Sequence, residues 1–381
     1  MSRPTLRPLR RRAFAFVATL SALLGHAEAR ASNSVTAELG AGQSKPTPTI
    51  ASAPFEYQKI AGRWQAADTL SFSASVRLTH DFAGAPTEGT VLRTASDWVW
   101  QGTLGVSHDV SKHVAFGLDL AGSPPARRDV VSPLAFAPTG GTPTTLDASM
   151  RANGWNAGAA ADLQYDTFDE DAEHDVDLTI DASVGYTHFG STQVLASVEE
   201  PGSVVSAEAL ATRCAGKSTD ACQAYALAAT KSTASLEQLR LGTTATFTLW
   251  DRTESGADIS YYVYDRGSPG DAGFFNGFLL GRTGADAGTA TWGAGMPVLP
   301  TRWSLRPELG HRWDWITLRA YYQFASYAIV PSEVGHTVGG KVTLLLDKWR
   351  PYLTGNVRED LAGGSAGASS WTLGVGLQRV L

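Results

Sequence analysis

At 381 residues the chain is long enough for two ordinary domains or for one large barrel. Its 31 basic and 37 acidic side chains give a formal charge of −6, and removal of the leader described next takes away five arginines and one glutamate, leaving −10. A chain this acidic argues against nucleic acid as a partner. Past the leader no apolar run approaches the roughly 18–20 residues that a membrane-crossing helix requires.

The chain opens with Arg3, Arg7, Arg10, Arg11 and Arg12, then the apolar run AFAFVATLSALL (Ala13 to Leu24) and a small-residue AEA at Ala27 to Ala29. That order is the pattern of a secretory signal peptide, too short to span a bilayer. It divides the chain into a signal, 1–29, and one unit, 30–381.

Beyond it, residues alternate between two unlike faces with a period of two, the mark of strands. In TLSFSASVRLT, Leu70, Phe72, Ala74, Val76 and Leu78 share one face while Ser71, Ser73, Ser75, Arg77 and Thr79 share the other. HVAFGLDLA sets Val114, Phe116, Leu118 and Leu120 against Gly117 and Asp119, and VDLTIDASVGY repeats the division. The closing WTLGVGLQRVL puts Trp371, Leu373, Val375 and Leu377 opposite Thr372, Gly374, Gly376 and Gln378. Strands are expected near 34–43, 55–64, 69–80, 97–108, 113–121, 154–165, 176–189, 236–249, 257–265, 301–311, 315–325, 335–346, 349–358 and 370–381. That makes fourteen; EYQKIAGRW in the second alternates poorly, which keeps twelve as the alternative. Each segment has about the ~9–11 residues of a tilted membrane strand.

The connections alternate short and long. Short ones fall at 65–68, 109–112, 166–175, 251–256, 312–314 and 347–348, and long ones include 122–153, 190–235 and 266–300. Such asymmetry follows when all turns of one kind lie on one side of a membrane, and an even strand count leaves both ends of the unit on the periplasmic side. Aromatic residues gather at the strand ends: Trp98, Trp100, Trp155, Trp303 and Tyr322 towards the long loops, and Trp64, Tyr165, Trp250, Trp315 and Trp349 towards the short turns. Two aromatic belts suit the two lipid interfaces of a barrel.

Together these features resemble the bacterial outer-membrane β-barrel proteins, the porin-like class in general. The resemblance implies an all-β, antiparallel transmembrane barrel with long extracellular loops, a lipid-facing outer wall, and a last strand read by the barrel-assembly machinery. That strand departs from the usual pattern in ending on Leu381 instead of an aromatic residue and in carrying Arg379 where an apolar residue is expected.

Candidate chemistry is sparse. The histidines of the mature chain sit mostly at strand ends, and none forms a persuasive dyad with a nucleophile. The acidic run DTFDEDAEHD, from Asp166 to Asp175, offers oxygen ligands but lacks the glycine and distal glutamate of a calcium loop, so it reads as a solvated turn. No metal and no cofactor is expected. Cys214 and Cys222 are expected to form a loop disulfide in the oxidising compartment an exported protein meets, within an alanine-rich, helix-favouring segment that reads as a lid or a surface cap. The remaining clue is the polar strand face. It carries the acids Asp119, Asp162, Asp177, Asp181, Asp258 and Glu308 and the bases Arg77, Arg240, Arg306, Arg319, Lys341 and Arg358. A dry core does not tolerate such a face, so it must meet water or partners. The expected function is a porin-like channel for small polar solutes, with a closed structural or adhesive barrel as the alternative and a barrel enzyme as a third class. Because the two signs balance in number, weak ion selectivity is expected.

Overall fold

The structure, a computed structural model, describes residues 33–45, 52–82, 92–96, 98–136, 144–167, 176–200, 203–216, 232–250, 252–266, 301–328, 334–362 and 365–381. The segment expected as a signal, 1–29, lies outside them, as do Cys222, His174 and most of the acidic run.

Fourteen strands make the wall. They are β1 (Ser34–Lys45), β2 (Ala53–Ala67), β3 (Leu70–Asp81), β5 (Val99–Ser111), β6 (Val114–Phe136), β7 (Thr144–Asp166), β8 (Val176–Glu200), β10 (Ser232–Leu249), β11 (Thr253–Tyr264), β12 (Thr301–Arg312), β13 (Ile316–Tyr327), β14 (Val334–Leu344), β15 (Trp349–Ala362) and β16 (Ser365–Val380). Each pairs antiparallel with the next, and β16 returns to pair with β1 from Ser34↔Val380 to Lys45↔Ser369, so the sheet closes on itself. Two short strands, β4 (Leu92–Ser96) on β6 and β9 (Ser203–Ser206) on β8, lie outside the ring.

The wall is inverted relative to a water-soluble protein. Leu104, Val184, Ile259, Val338, Leu373 and Val375 are among many large apolar side chains with about half their surface exposed, and they alternate with the polar set along each strand. Closure leaves no unpaired edge, and an exposed apolar band around a closed sheet is what hydrocarbon requires. Trp64, Tyr165, Trp250, Trp315 and Trp349 are exposed at the short-turn end, and Trp100, Trp155, Trp303 and Tyr322 towards the other, which places both belts on the outer surface. Tight turns hold the lower rim: Trp250 (φ 49) and Asp347 (φ 47) take the left-handed conformation that so short a reversal demands.

The long loops are the main correction. Segments 122–153 and 190–235 were expected to be loops, yet β6 and β7 run on as a paired ladder to Phe136↔Thr144, and β8 continues to Glu200. Polar and glycine-rich sequence there weakens the alternation, but cross-strand hydrogen bonding persists once the hairpin has begun. Above the rim these extensions carry β9 and one helix, α1 (Ala207–Cys214). Ser206 caps α1 by accepting from the Ala209 N–H at 3.1 Å; Leu210 of α1 is buried, as are the cross-strand pairs Met150–Leu195 and Val198–Val205 on the extensions beside it. Cys214, the last residue of α1, is disulfide-bonded.

Candidate channel wall

All twelve charged candidates lie on the strand face opposite the exposed apolar side chains, on the inside of the closed sheet. They do not mix evenly around it. Asp119 on β6, Asp162 on β7, and Asp177 and Asp181 on β8 form a sector of carboxylates. Asp162 has Asp181 and Asp119 as charged neighbours, and Asp181 has Asp119, Asp258 and Arg240. None of these four makes an ion pair among the described residues. Small neighbours give them their room. Asp119 leans over Gly105, and Asp162 over Gly117, so closely that a Cβ at either glycine would lie 2.2 or 2.3 Å from a carboxylate oxygen.

Across the barrel the balance reverses. Arg306, Arg319, Lys341 and Arg358 follow one another on β12 to β15, and Lys59 and Arg77 continue the sector on β2 and β3. The acids that occur here are engaged. Glu308 pairs with Arg306 at 3.1 Å and Arg319 at 4.0 Å, Glu254 with Arg319 at 2.6 Å, and Asp360 with Arg358 at 3.1 Å. Arg240 and Asp258, 3.9 Å apart, stand at the boundary between the sectors. Between them, on β10 to β12, a recess of about 280 Å³ is lined by Arg240, Thr244, Glu254, Asp258, Arg306 and Glu308.

Tyrosines organise the basic side. The Tyr57 and Tyr352 hydroxyls both donate to Glu38, each at 2.7 Å. Arg77 lies 4.1 Å over the Tyr57 ring and Lys341 3.9 Å over the Tyr352 ring. A bare strip makes this possible: a Cβ at Gly374 would sit 2.3 Å from the Tyr57 hydroxyl, and one at Gly376 would sit 2.2 Å from the Tyr352 ring. The small inner face of the closing strand is therefore the bed on which two rings cross the seam between β16 and β1. Higher up, Tyr327 donates to Asp360 and accepts from Arg358 at 2.8 Å in a buried cluster.

The sequence reading missed Glu38, Tyr57, Lys59, Glu254, Tyr352 and Asp360. Glu38 was legible, because it shares its parity with Thr36 and Gly40; Tyr57 was not, because an inward aromatic residue spoils the alternation of its own strand.

No protein-family model matches the chain, and no curated protein sequence is similar to it. Solved structures are. The CymD monoaromatic hydrocarbon channel superposes with a TM-score of 0.53 at 9% identity over 93% of this chain and 89% of that one. A Pseudomonas aeruginosa FadL homologue gives 0.52 at 9% identity over 91% and 90% of the two chains. The Ralstonia pickettii toluene transporter TbuX gives 0.51 at 11% identity over 93% and 90%. The fold is that of a bacterial outer-membrane β-barrel. At such identities the likeness reaches the architecture and no further.

Proposed function

We propose that the chain is an outer-membrane channel of the porin-like kind, passing small polar solutes. The inner wall carries the proposal: charges of both signs, several without an ion-pair partner, are too costly to keep dry and imply a wetted passage. The leader, 1–29, as an export signal, the pairing of Cys214 with Cys222, and reading of β16 by the barrel-assembly machinery belong to the same proposal. The decisive measurement is single-channel conductance of the purified protein in a planar bilayer, joined to swelling of protein-loaded liposomes in small sugars and amino acids. Ohmic conductance and size-limited swelling are expected. A protein that is folded and inserted but silent in both assays would return the chain to the closed structural or adhesive reading.

One observation favours a second reading, passage of apolar solutes, as the names of the similar structures suggest for those proteins. Over the outer face of β1, β2 and β16 lies a largely apolar recess of about 710 Å³, lined by Leu39, Ala41, Phe82, Trp371, Leu373 and Val375. Uptake of toluene that is abolished by Ala41→Trp, without change in conductance, would support it.

A further inference from the structure

The recess at the boundary between the two charge sectors holds opposite charges that face each other and do not meet. Asp258 on β11 and Arg306 on β12 are directly opposite in the ladder, a position in which Cβ atoms are only ~4.5–5.5 Å apart and an ion pair is within reach. Among the described residues no ion pair joins them. Each leans away from the other. Asp258 accepts from Thr244 on β10 at 3.2 Å and from Ser260 at 3.4 Å, with Arg240 of β10 at 3.9 Å. Arg306 donates from Nη2 to Glu308 at 3.1 Å and lies 4.0 Å over the ring of Tyr321 on β13.

The floor between these groups is bare. Two residues nearer the short turn than Asp258, Gly256 is flanked by Thr246 on β10 and Glu308 on β12, and a Cβ there would stand 3.0 Å from the Ala245 carbonyl oxygen and from Thr246 Oγ1. The recess of about 280 Å³ opens over this glycine. Its charges cancel: Arg240 and Arg306 line it, Arg319 is held beside it at 2.6 Å from Glu254 and 4.0 Å from Glu308, and the acids are Glu254, Asp258 and Glu308. A lone cation or anion gains little from such walls, since one sign attracts it and the other opposes it. A solute that carries both signs gains from both sides.

Both partners have capacity left. The hydroxyl contacts of Asp258 are longer than the ~2.5–2.7 Å of a tight hydroxyl-to-carboxylate bond, which leaves its oxygens open to a stronger donor. No hydrogen bond engages Nη1 of Arg306 among the described residues. We propose, resting on the wetted lumen of the channel reading above, that this recess is a subsite for α-amino acid zwitterions. The solute's carboxylate accepts from Arg306, its ammonium donates to Asp258, and its side chain stays in the passage. A solute that must also leave binds weakly, with a dissociation constant on the order of millimolar.

Ligand-observed saturation-transfer NMR on the full detergent-purified chain tests this with three probes: L-alanine, propionate, which lacks the ammonium, and ethylamine, which lacks the carboxylate. Alanine is expected to bind at least about tenfold more tightly than either. Asp258→Asn should weaken alanine by about tenfold and leave propionate unchanged; Arg306→Gln should weaken alanine as much and leave ethylamine unchanged. Heat-modifiable gel mobility reports that each variant is folded. Should either fail to fold, Thr246→Phe carries the test, because it fills the recess without removing a charge and should abolish alanine binding. Equal binding of the three probes, alanine binding unchanged in the folded variants, or a loss common to all three probes would each overturn the proposal. Binding is read without current, so the two readings separate. A barrel that conducts and does not bind alanine loses the subsite and keeps the channel, and one that binds alanine and is silent keeps the subsite and loses the channel.

Discussion

The acidic sector of β6 to β8 and the basic sector running from β12 round to β3 are built on opposite plans. Asp119 and Asp162 stand over glycines, and neither they nor Asp181 make an ion pair among the described residues. In the basic sector every acid named above is held by a cation or a tyrosine, and Arg77, Arg306 and Lys341 each rest on a tyrosine ring. Charge balance counted along the sequence therefore conceals charge separation in space. In the channel proposed above, a wall with its signs on opposite sides would put a field across the passage and sort solutes by where their charges lie.

The largest effect should come from removing one side. Asp119→Asn, Asp162→Asn, Asp181→Asn together should shift the proposed channel towards anions by about three- to tenfold, read from the reversal potential in a salt gradient; a reversal potential that does not move would refute the separation. The opposite pair, Arg77→Gln with Lys341→Gln, should shift it towards cations by less, because Lys59, Arg306 and Arg319 remain. Both shifts should shrink at about 1 M salt, where the screening length is ~3 Å. Gly374→Leu tests the tyrosine bed: with a Cβ 2.3 Å from the Tyr57 hydroxyl, it should destabilise the barrel by about 1–3 kcal/mol, seen as a lower heat-modification midpoint. The smallest effect should be that of Cys214→Ser, which acts on the cap and leaves conductance and barrel stability near those of the parent.

Period-two patterning made nearly all of the wall legible, because a strand between lipid and water cannot hide which face is which. All fourteen strands lie where the alternation puts them, including the weakly patterned β2, whose inward Tyr57 and outward Glu56 and Gln58 explain its irregularity. The upward extensions of β6, β7 and β8 were not legible, since strands beyond the hydrocarbon need no apolar face. The segregation of charge was hidden for another reason. Which side of the ring a residue occupies depends on strand number around the closure, and that becomes visible only once Ser34 pairs with Val380.

The hydrogen bond from Tyr352 to Glu38 joins residues 314 apart in sequence. Contacts of such separation bear the largest loop-closure entropy and form late. The bond cannot exist until β15 and β16 have both been delivered and the ring has shut, so it records closure of the barrel. A chain truncated before Trp349 would hold Glu38 with only one of its two hydroxyls, facing an unzipped edge. Glycine at 374 and 376 keeps that last strand smooth on its inner side, so it can slide into register with nothing to thread past the tyrosines already in place.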